Sequence, residues 1–595
     1  MLSYQKGVVK TSVRHLVEFL FRGGDITTGS SVSVSPEAML EGSRLHRKIQ
    51  RGQKATYQSE VPLKMEWQEE GYDLVLEGRA DGIDKTEVNK DRLSDVDGMN
   101  QTESDEEKLQ HVIGMNQIES NEEKLTYVDE IKCVYRDVEE IEEADILHLA
   151  QAKCYAYMYG VKQDLEKIGV QITYCHLETE QIKRIFYCYT MGELSLWFAE
   201  VLDAYRMWAA YYVEAREKRN ASIQALQFPF SFRPGQKKMT AIAYQAMENK
   251  KHIFLQAPTG VGKTISTLYP ALKELGAEKA ENIFYLTAKT ITRTVAKDTC
   301  DLLKAKGYRG KVIVLTAKEK MCPCEEMDCN PSNCLRAKGH YDRVNDAVYD
   351  LITTEEDFTR ERMLAQAEKY QVCPFEMSLD ASLYADIIIC DYNYVFDPNV
   401  YLKRFFAEGI RGDYIFLVDE AHNLVERSRE MYSAEIYKED FLAVKKIVKR
   451  YRPGLEQQFN HCNRILLEYK RECEKYKVYD NIGNLMFYLM KLASELDEFL
   501  QRSTEFPERK EVSEFYFGLR NFINIYERVD EHYVIYTEHM EDERFKMKLY
   551  CVDPSLNLQE CIDRGNSAIF FSATFLPIQY YKNLLSTKKD NYAVY

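Results

Sequence analysis

Long apolar runs are missing from this chain of 595 residues, and so is a recognisable secretion signal. No run of roughly eighteen or more apolar residues occurs, which excludes a membrane-spanning helix. The first residues, MLSYQKGVVKTSVRHLVEFLF, contain neither a clean apolar core nor a small-residue cleavage site. We therefore expect a cytoplasmic protein with no membrane partner.

An excess of positive charge is also lacking. The chain has 79 basic and 95 acidic residues, so its formal net charge is −16 at pH 7. This balance excludes a generally basic, histone-like coat for nucleic acid, but it permits a locally basic DNA track, because local charge governs such contacts. Hydrophobic residues make up 45% of the chain, an ordinary share for a soluble globular protein. At about 100–200 residues per domain, the length predicts roughly three to five domains.

A disulfide framework is a poor explanation for the 15 cysteines, since the chain is long and has no secretion signal. Most of them are scattered, and these are predicted to be small buried hydrophobic residues. The others, Cys322, Cys324, Cys329, Cys334 and Cys373, fall in one short stretch. This clustering indicates metal or iron–sulfur ligation in a reducing compartment.

One internal repeat occurs, and it is acidic. Residues 98–109, GMNQTESDEEKL, recur at 114–125 as GMNQIESNEEKL. The flanking stretches 72–78 and 127–135 are typical of strands, and no solenoid-length array follows the repeat. We interpret the repeat as a tandem duplication in an exposed loop, where insertions cost little, and an acidic interaction loop is the alternative.

Apolar strands alternate with helical stretches from 252 to 320, a pattern typical of a parallel sheet. The cysteine-rich stretch interrupts this pattern, which resumes with strands at 385–391 and 414–420. Residues 430–560 are predicted to be strongly helical, and 567–574 to form a closing strand.

A phosphate-binding loop is predicted between an apolar strand and a helix. Glycines let the backbone curl so that N–H groups face phosphate oxygens, and the helix N-terminus adds a favourable dipole. Lys263 can reach the β- and γ-phosphates of ATP, and the Thr264 hydroxyl can bind Mg²⁺. The strict pattern has a glycine where this chain has Ala257. The predicted nucleotide-binding residues of the loop are Ala257, Pro258, Thr259, Gly260, Val261, Gly262, Lys263 and Thr264.

A second apolar strand ends in the sequence DEAH at 419–422. We expect Asp419 to hold the magnesium ion indirectly and Glu420 to activate the attacking water. A DE pair alone is weak evidence, but this one follows a buried strand downstream of a phosphate loop. The sequence SAT at 572–574, again after an apolar strand, fits an element that couples the state of ATP to nucleic acid.

Short motifs resemble those of superfamily 2 helicases in type and order: RPGQ (233–236), APTGVGKT (257–264), TAKT (287–290), DEAH (419–422) and SAT (572–574). The cysteine insert before DEAH and the helical stretch after it resemble the XPD/DinG branch. The resemblance covers roughly 223–595. It implies a 5′→3′ DNA helicase with a single-stranded track, an iron–sulfur domain and an arch domain, acting in DNA repair or replication. Gln236 would then read the adenine of ATP.

The same resemblance implies a 4Fe-4S cluster bound by Cys322, Cys329, Cys334 and Cys373, since four thiolates suit such a cluster. Cys324 could take the place of Cys322. A tetrahedral zinc site is the main alternative, because four cysteines also suit Zn²⁺. The expected role of the cluster is to hold a small domain rigid beside the DNA path.

A separate group of polar residues lies near the N-terminus. Residues 38–54 suggest a basic helix that carries His46, and Asp81 stands at the end of a strand. Glu130 and Lys132 lie on the next strand and share one face, because side chains alternate along a strand. Two carboxylates can hold Mg²⁺ or Mn²⁺, while Lys132 positions a water or stabilises charge on the phosphate.

With Gln151 and Tyr155, four residues apart on one helix face, this set resembles the RecB-type PD-(D/E)XK nucleases. The resemblance implies a metal ion bound by His46, Asp81 and Glu130. The long loop that holds the duplication departs from that family, whose two strands pair closely, and it could screen the site with negative charge.

The expected fold class is α/β, with a PD-(D/E)XK nuclease fold followed by a RecA-like P-loop domain that an Fe–S insert and a helical arch insert interrupt. Few residues follow Thr574, so we expect a second RecA-like domain to be missing. The expected domains are the nuclease-like domain 1–222, the RecA-like domain 223–315 and 377–430, the Fe–S insert 316–376, the arch-like insert 431–562, and the end of the RecA-like domain with the start of the missing one, 563–595.

Two other functions stay open. One is an ATP-gated DNA-binding scaffold whose nuclease fold is inactive, and the other is a zinc-containing regulatory ATPase without unwinding activity. The presence of Glu130 and Lys132 together with Asp419 and Glu420 favours the enzyme, because a degenerate scaffold has no need to keep them.

Overall fold

The computed structural model describes residues 3–5, 7–26, 36–85, 125–325, 327–407, 409–503, 506–588 and 592–594. The acidic duplication falls almost entirely outside these residues. The chain divides into two compact units, Met1–Ala215 with Cys329–Asn345, and Arg216–Asp328 with Asp346–Tyr595. Among the described residues, every helix is too short or too polar to cross a bilayer.

The first unit is built on a seven-stranded mixed sheet in which β1, β2, β4, β5, β6 and β7 lie side by side in that order, while β3 pairs with β4 in a long hairpin. The β2–β4 and β5–β6 pairs are parallel, and the other pairs are antiparallel. The strands are β1 (Ser3–Gln5), β2 (Val8–Ser12), β3 (Tyr57–Glu69), β4 (Tyr72–Asp84), β5 (Tyr127–Val134), β6 (Lys167–His176) and β7 (Ile182–Thr190).

Helices cover both faces of this sheet. They are α1 (Val13–Leu20), α2 (Pro36–Arg51), α3 (Ile146–Gln163) and α4 (Met191–Ala225). α3 begins where the Asp145 carboxylate accepts the backbone N–H of Leu147 at 2.8 Å, and its mostly apolar sequence lies in the main core with parts of α1 and α4. On the opposite face, Leu45 and Ile49 of α2 pack against Ile131 of β5.

The first unit also contains a segment from the cysteine-rich region. The backbone N–H of Ile26 donates to the carbonyl of Ala337 at 2.9 Å, and the N–H of Gly24 donates to Asp342 Oδ1 at 2.7 Å. Contact with the N-terminal residues was not expected for the predicted insert 316–376. The first unit therefore needs more of the chain than the predicted range 1–222.

The second unit contains an eight-stranded sheet in the order β11-β10-β12-β9-β13-β18-β8-β19, in which all neighbours are parallel. The predicted parallel sheet is confirmed. Its central strands are apolar along their length because helices cover both faces. The strands of this unit are β8 (His252–Gln256), β9 (Asn282–Leu286), β10 (Val312–Val314), β11 (Asp357–Phe358), β12 (Ile387–Cys390), β13 (Tyr414–Asp419), β14 (Ala434–Tyr437), β15 (Tyr476–Tyr479), β16 (Tyr533–His539), β17 (Phe545–Cys551), β18 (Ser567–Ser572) and β19 (Tyr592–Val594).

The remaining helices of the chain follow α4 in sequence. They are α5 (Gln236–Glu248), α6 (Lys263–Gly276), α7 (Thr290–Ala305), α8 (Lys318–Met321), α9 (His340–Thr354), α10 (Arg360–Tyr370), α11 (Pro374–Ala381), α12 (Asn393–Phe396), α13 (Lys403–Phe406), α14 (His422–Met431), α15 (Lys438–Tyr451), α16 (Glu456–Glu472), α17 (Leu485–Arg502), α18 (Arg509–Tyr526), α19 (Ser555–Ile562) and α20 (Ile578–Leu585). α5, α6 and α7 contribute to the core on one face of the parallel sheet.

The region predicted as a helical insert, 431–562, is only partly helical. It contains α15 to α19, but also a four-stranded antiparallel sheet in the order β14-β17-β16-β15. In β16 the buried residues Tyr533, Ile535 and Thr537 alternate with partly exposed ones, which is the period of a strand. The helical expectation was wrong for these strands, because the overall Glu, Lys and Leu content masked this short alternation.

Candidate nucleotide site and candidate metal site

The predicted phosphate loop joins β8 to α6 in the second unit. Gly260 and Gly262 adopt φ values of 83° and 85°, which suit glycine. A Cβ at Gly262 would lie 2.5 Å from Nε2 of Gln236, so this position tolerates no side chain without movement. Gln236 is buried, and its Oε1 accepts the backbone N–H of Arg233 at 3.1 Å. The structure therefore places Gln236 directly beside the loop.

Lys263 lies between the loop and the DEAH sequence. Its Nζ donates to the carbonyl of Ala257 at 3.2 Å and lies 4.0 Å from Oε1 of Glu420. The lysine charge is thus close to one carboxylate while its side chain remains in the loop.

A buried tyrosine links the two motifs, and no sequence motif marks it. The hydroxyl of Tyr285, on β9, donates to Oδ2 of Asp419 at 2.8 Å and lies 3.4 Å from Oγ1 of Thr264. Burial raises the pKa of Asp419 to about 6, and the hydrogen bond from Tyr285 opposes that rise. Tyr285 therefore holds together the two side chains predicted to serve the magnesium ion.

Glu420 has an unusual backbone conformation. Its φ is 47°, in the left-handed region, which costs free energy for a residue with a side chain. The hydroxyl of the buried Tyr392 donates to the carbonyls of Asp419 and Glu420, the second at 3.1 Å. The turn that aims Glu420 is therefore braced by a second tyrosine that no motif identified.

The SAT sequence meets both motifs at the end of β18. Oγ of Ser572 lies 2.8 Å from Nδ1 of His422 and 3.3 Å from Oε2 of Glu420. The carbonyl of Ser572 accepts the backbone N–H of Ala257 at 3.1 Å, and its Oγ accepts that of Thr574. The donors of this site, with one lysine, one hydroxyl and two carboxylates around a glycine loop, fit ATP with Mg²⁺.

The predicted metal site of the first unit forms where β4 and β5 diverge. Gly82 still pairs with Asp129, but one residue further Oδ2 of Asp81 accepts the backbone N–H of Ile131 at 2.8 Å. Nε2 of His46, from α2, lies 3.1 Å from the same oxygen, and this hydrogen bond raises the pKa of His46.

Glu130 and Lys132 share one face of β5, as predicted from their spacing. Oε1 of Glu130 lies 2.9 Å from Nζ of Lys132, which also donates to Oε1 of Gln151 at 3.3 Å. Tyr155, one helical turn beyond Gln151, packs so closely on Gly78 that a Cβ there would lie 2.8 Å from its hydroxyl. The structure thus brings the predicted side chains of this face together.

Glu130 is 1% exposed, and its Oε2 has no hydrogen-bond partner among the described residues. Burial, together with the nearby Asp81, raises its pKa to about 8, while Lys132 opposes the rise. An unpaired buried carboxylate oxygen is costly without a counter-charge. The donor set therefore fits a divalent cation.

A group of possible metal ligands in the described part of the chain includes a residue that we did not predict. One ligand atom from each of His46, Glu60 and Asp81 lies within 4.8 Å of the others. The predicted set was His46, Asp81 and Glu130. Glu60 belongs to no motif, and its place follows from the pairing of β3 with β4.

The basic residues on α2 and just after its end divide into two groups. Arg44 and Lys48 both contact the carboxylate of Glu180, so their charges are largely compensated. The other group is exposed and has no acidic partner among the described residues, and we call it the open basic stripe: Arg47, Arg51 and Lys54.

The cysteines predicted to bind the cluster form no disulfide in the described part of the chain. Cys322 and Cys373 belong to the second unit, and Cys329 and Cys334 belong to the first. Burial raises the pKa of Cys373, which precedes α11. The cluster and its ligand set stay a prediction.

The family comparison covers part of the second unit together with the segment Cys329–Asn345 of the first. Residues 278–441 match the DEAD_2 family, a segment that contains the cysteine-rich stretch, Asp419 and Glu420. Regulator of telomere elongation helicase 1 from Homo sapiens is 23% identical over 265 residues, which are 36% of this chain and 21% of that protein. A probable ATP-dependent helicase from Methanocaldococcus jannaschii is 28% identical over 201 residues, which are 33% of this chain and 29% of that protein.

A solved structure of a truncated XPD aligns with 60% of this chain and 99% of its own, at a TM-score of 0.42 and 16% identity. The matches cover less than a third of the length of the two helicases named above. The chain is therefore similar in part to helicases, through a segment of the DEAD_2 type.

Proposed function

We propose that the second unit is the ATP-hydrolysing motor of a DNA helicase of the XPD/DinG type. The observation that carries this proposal is the meeting of Lys263, Thr264, Asp419 and Glu420 at the carboxyl ends of parallel strands, the usual place for a ligand in such sheets. The match of residues 278–441 to DEAD_2 supports it.

In this proposal the loop N–H groups and Lys263 bind the phosphates of ATP. Thr264 would hold a magnesium ion directly and Asp419 would hold it indirectly, and that ion would offset charge on the phosphates. Tyr285 orients both of these side chains, and Glu420 accepts a proton from the attacking water. Ser572 and His422 connect Glu420 to the end of β18, a route by which hydrolysis could affect bound DNA.

The finer assignments rest on the family resemblance. They are 5′→3′ movement along single-stranded DNA, an arch formed by 431–562, a role in DNA repair or replication, and a 4Fe-4S cluster on Cys322, Cys329, Cys334 and Cys373. Gln236 beside the loop is in position to read adenine, and its contact with Gly262 supports that role.

Separating ATP binding from hydrolysis tests the motor. Glu420→Gln in the full chain should still bind ATP but should not hydrolyse it, because the amide cannot accept the proton. Glu426→Gln, an exposed change on the following helix, is the matched control. Normal hydrolysis by Glu420→Gln would show that Glu420 does not activate the water.

Protein purified without oxygen tests the cluster. A brown protein that contains iron and absorbs near about 400 nm supports 4Fe-4S, and this colour should be lost in Cys329→Ser and Cys334→Ser. Comparing Cys322→Ser with Cys324→Ser shows which of the two is a ligand. Stoichiometric zinc without iron would instead favour the regulatory ATPase.

A second candidate function belongs to the first unit, which we propose is a metal-dependent deoxyribonuclease. The buried unpaired oxygen of Glu130 beside Asp81 and Lys132 favours it over an inactive scaffold, because a cation would compensate that oxygen. His46, Asp81 and Glu130 would hold Mg²⁺ or Mn²⁺, which activates the attacking water. Lys132, held by Gln151, would orient that water, and the open basic stripe would contact DNA phosphates.

Digestion of single-stranded and duplex DNA with Mg²⁺ or Mn²⁺ tests the nuclease. Deleting the acidic duplication, 98–125, should raise cleavage, because its charge repels DNA near the site. Equal residual cleavage by the wild type and Glu130→Ala would identify a contaminant and favour the scaffold.

A further inference from the structure

We infer that Glu60 joins His46, Asp81 and Glu130 as a protein ligand of the cation in the first unit, and that the resulting site prefers Mn²⁺ to Mg²⁺. This inference rests on the proposed nuclease and deepens it by naming a ligand and the metal that suits it. No motif in the sequence points to Glu60, which lies in the hairpin strand β3 rather than on β4 or β5.

The register of the hairpin places Glu60 beside Asp81. Ser59 pairs with Gly82 and Val61 pairs with Ala80, so Glu60 stands opposite Asp81. The backbone at Glu60 has a φ of 54°, in the left-handed region, inside a strand of 13 residues. A residue with a side chain adopts this conformation at a cost, and such strain is concentrated at functional sites.

Glu60 shares its contacts, Gln50 and His46, with Asp81. Its Oε1 accepts a hydrogen bond from Nε2 of Gln50 at 3.0 Å, and the same nitrogen donates to the carbonyl of Asp81 at 2.9 Å. Nδ1 of His46 lies 4.0 Å from Oε1 of Glu60, while Nε2 of His46 lies 3.1 Å from Asp81. Gln50 and His46 lie one turn apart on α2, so this helix supports both carboxylates.

An independent observation on the neighbouring strand points to a cation. Glu130 is almost completely buried, its Oε2 has no partner among the described residues, and it lies close enough to Asp81 for their charges to interact. Glu60, Asp81 and Glu130 therefore bring three carboxyl groups together, and their cationic neighbours are Lys132, His46 and Arg79, whose Nη1 lies 3.6 Å from Oε2 of Glu60. None of these cations meets Oε2 of Glu130 among the described residues, and a divalent ion would compensate that oxygen.

The ligand chemistry decides between the common ions. Mg²⁺ prefers oxygen ligands and keeps several waters, whereas an imidazole nitrogen suits first-row transition ions. A site with a histidine among its carboxylate ligands should therefore bind Mn²⁺ at least about tenfold more tightly than Mg²⁺. Loss of Glu60 should weaken Mn²⁺ binding by at least about tenfold, the size typical of damage to a metal site.

Titration of the metal-free full chain with Mn²⁺, followed by the electron paramagnetic resonance signal of free Mn²⁺, tests the inference. All proteins carry Asp419→Asn and lack nucleotide, so that the second unit contributes little to the measured Mn²⁺ binding. Glu60→Gln should weaken binding, while Glu66→Gln should not, because Glu66 lies on the same strand in an exposed pair with Lys64. Displacement of bound Mn²⁺ by added Mg²⁺ measures how strongly the site prefers Mn²⁺ to Mg²⁺.

A second variant guards against misfolding. Glu60→Gly removes the carboxylate but relieves the left-handed backbone, so it should unfold at the wild-type temperature or higher and still lose Mn²⁺. Wild-type binding in both Glu60 variants, with loss in Asp81→Asn, would overturn the role of Glu60 and leave the nuclease proposal standing. If His46 only forms an ion pair with the two carboxylates, the wild type will bind no Mn²⁺, and that result overturns both.

Discussion

The two candidate sites are assembled in different ways. In the second unit, each motif is a short continuous stretch at the end of a strand, and the parallel sheet brings those ends to one edge. In the first unit, single residues come from α2, β3, β4, β5 and α3. In the second unit, Asp419 accepts a hydrogen bond from Tyr285, whereas Glu130 of the first unit keeps an unpaired buried oxygen among the described residues.

This difference indicates how each site achieves its geometry. Buried tyrosines hold Asp419 and the turn at Glu420 in place before any ligand binds. The carboxylates of the first unit repel one another, so we expect a cation to complete their arrangement. The following variants test this contrast, in order of decreasing effect.

The largest effect is expected from Lys263→Ala. It removes the cation of the phosphate loop, so ATP hydrolysis by the full chain should fall by at least about 100-fold. Steady-state phosphate release measures this loss. Lys279→Ala is the matched control, because Lys279 is exposed and pairs with Glu248. Wild-type turnover by Lys263→Ala would refute the nucleotide site.

Glu130→Gln and Lys132→Ala should lower metal-dependent DNA cleavage by about 100-fold while leaving ATP hydrolysis unchanged. The full chain is required, because Cys329–Asn345 belongs to the first unit. Glu77→Gln, on β4 in an exposed pair with Lys10, should cleave normally. Cleavage that survives both changes would show that the predicted carboxylate and lysine do not act.

Tyr285→Phe should have a smaller effect on the motor, because it removes one hydrogen bond to Asp419 but no ligand. We expect the magnesium concentration for half-maximal hydrolysis to rise by about tenfold, with a smaller change in kcat. Tyr269→Phe is the control, because it removes a hydroxyl that donates to the backbone carbonyl of Leu226 in the same unit at 3.2 Å. An unchanged magnesium requirement would show that the Tyr285 side chain fills space in the core but does not orient Asp419.

The smallest effect is expected from changes in the open basic stripe. Replacing Arg47, Arg51 and Lys54 with glutamine should weaken DNA binding and lower the slope of log affinity against log salt by about one per phosphate contact. Arg44→Gln with Lys48→Gln should change the slope less, since Glu180 already compensates these charges. If both variants have the same slope of log affinity against log salt, the open basic stripe does not contact DNA phosphates.

Much of the second unit could be predicted because local sequence carries its signals. The apolar strand 252–256 followed by a glycine loop predicts a strand, a phosphate loop and a helix, and the structure has β8, the loop and α6 there. The antiparallel sheet of 431–562 was missed, because its strands are short and polar on one face.

The amino-acid order alone was enough to indicate the α/β class, the phosphate loop, the DEAH strand and the pairing of Glu130 with Lys132 on one face. These features depend on neighbours a few residues apart, so composition and periodicity reveal them. The positions of Glu60, Gln50, Tyr285 and Tyr392 depend on strand register and helix packing between distant parts of the chain. Only the folded chain could bring these residues to the sites, because their partners lie far away in sequence and no local pattern marks them.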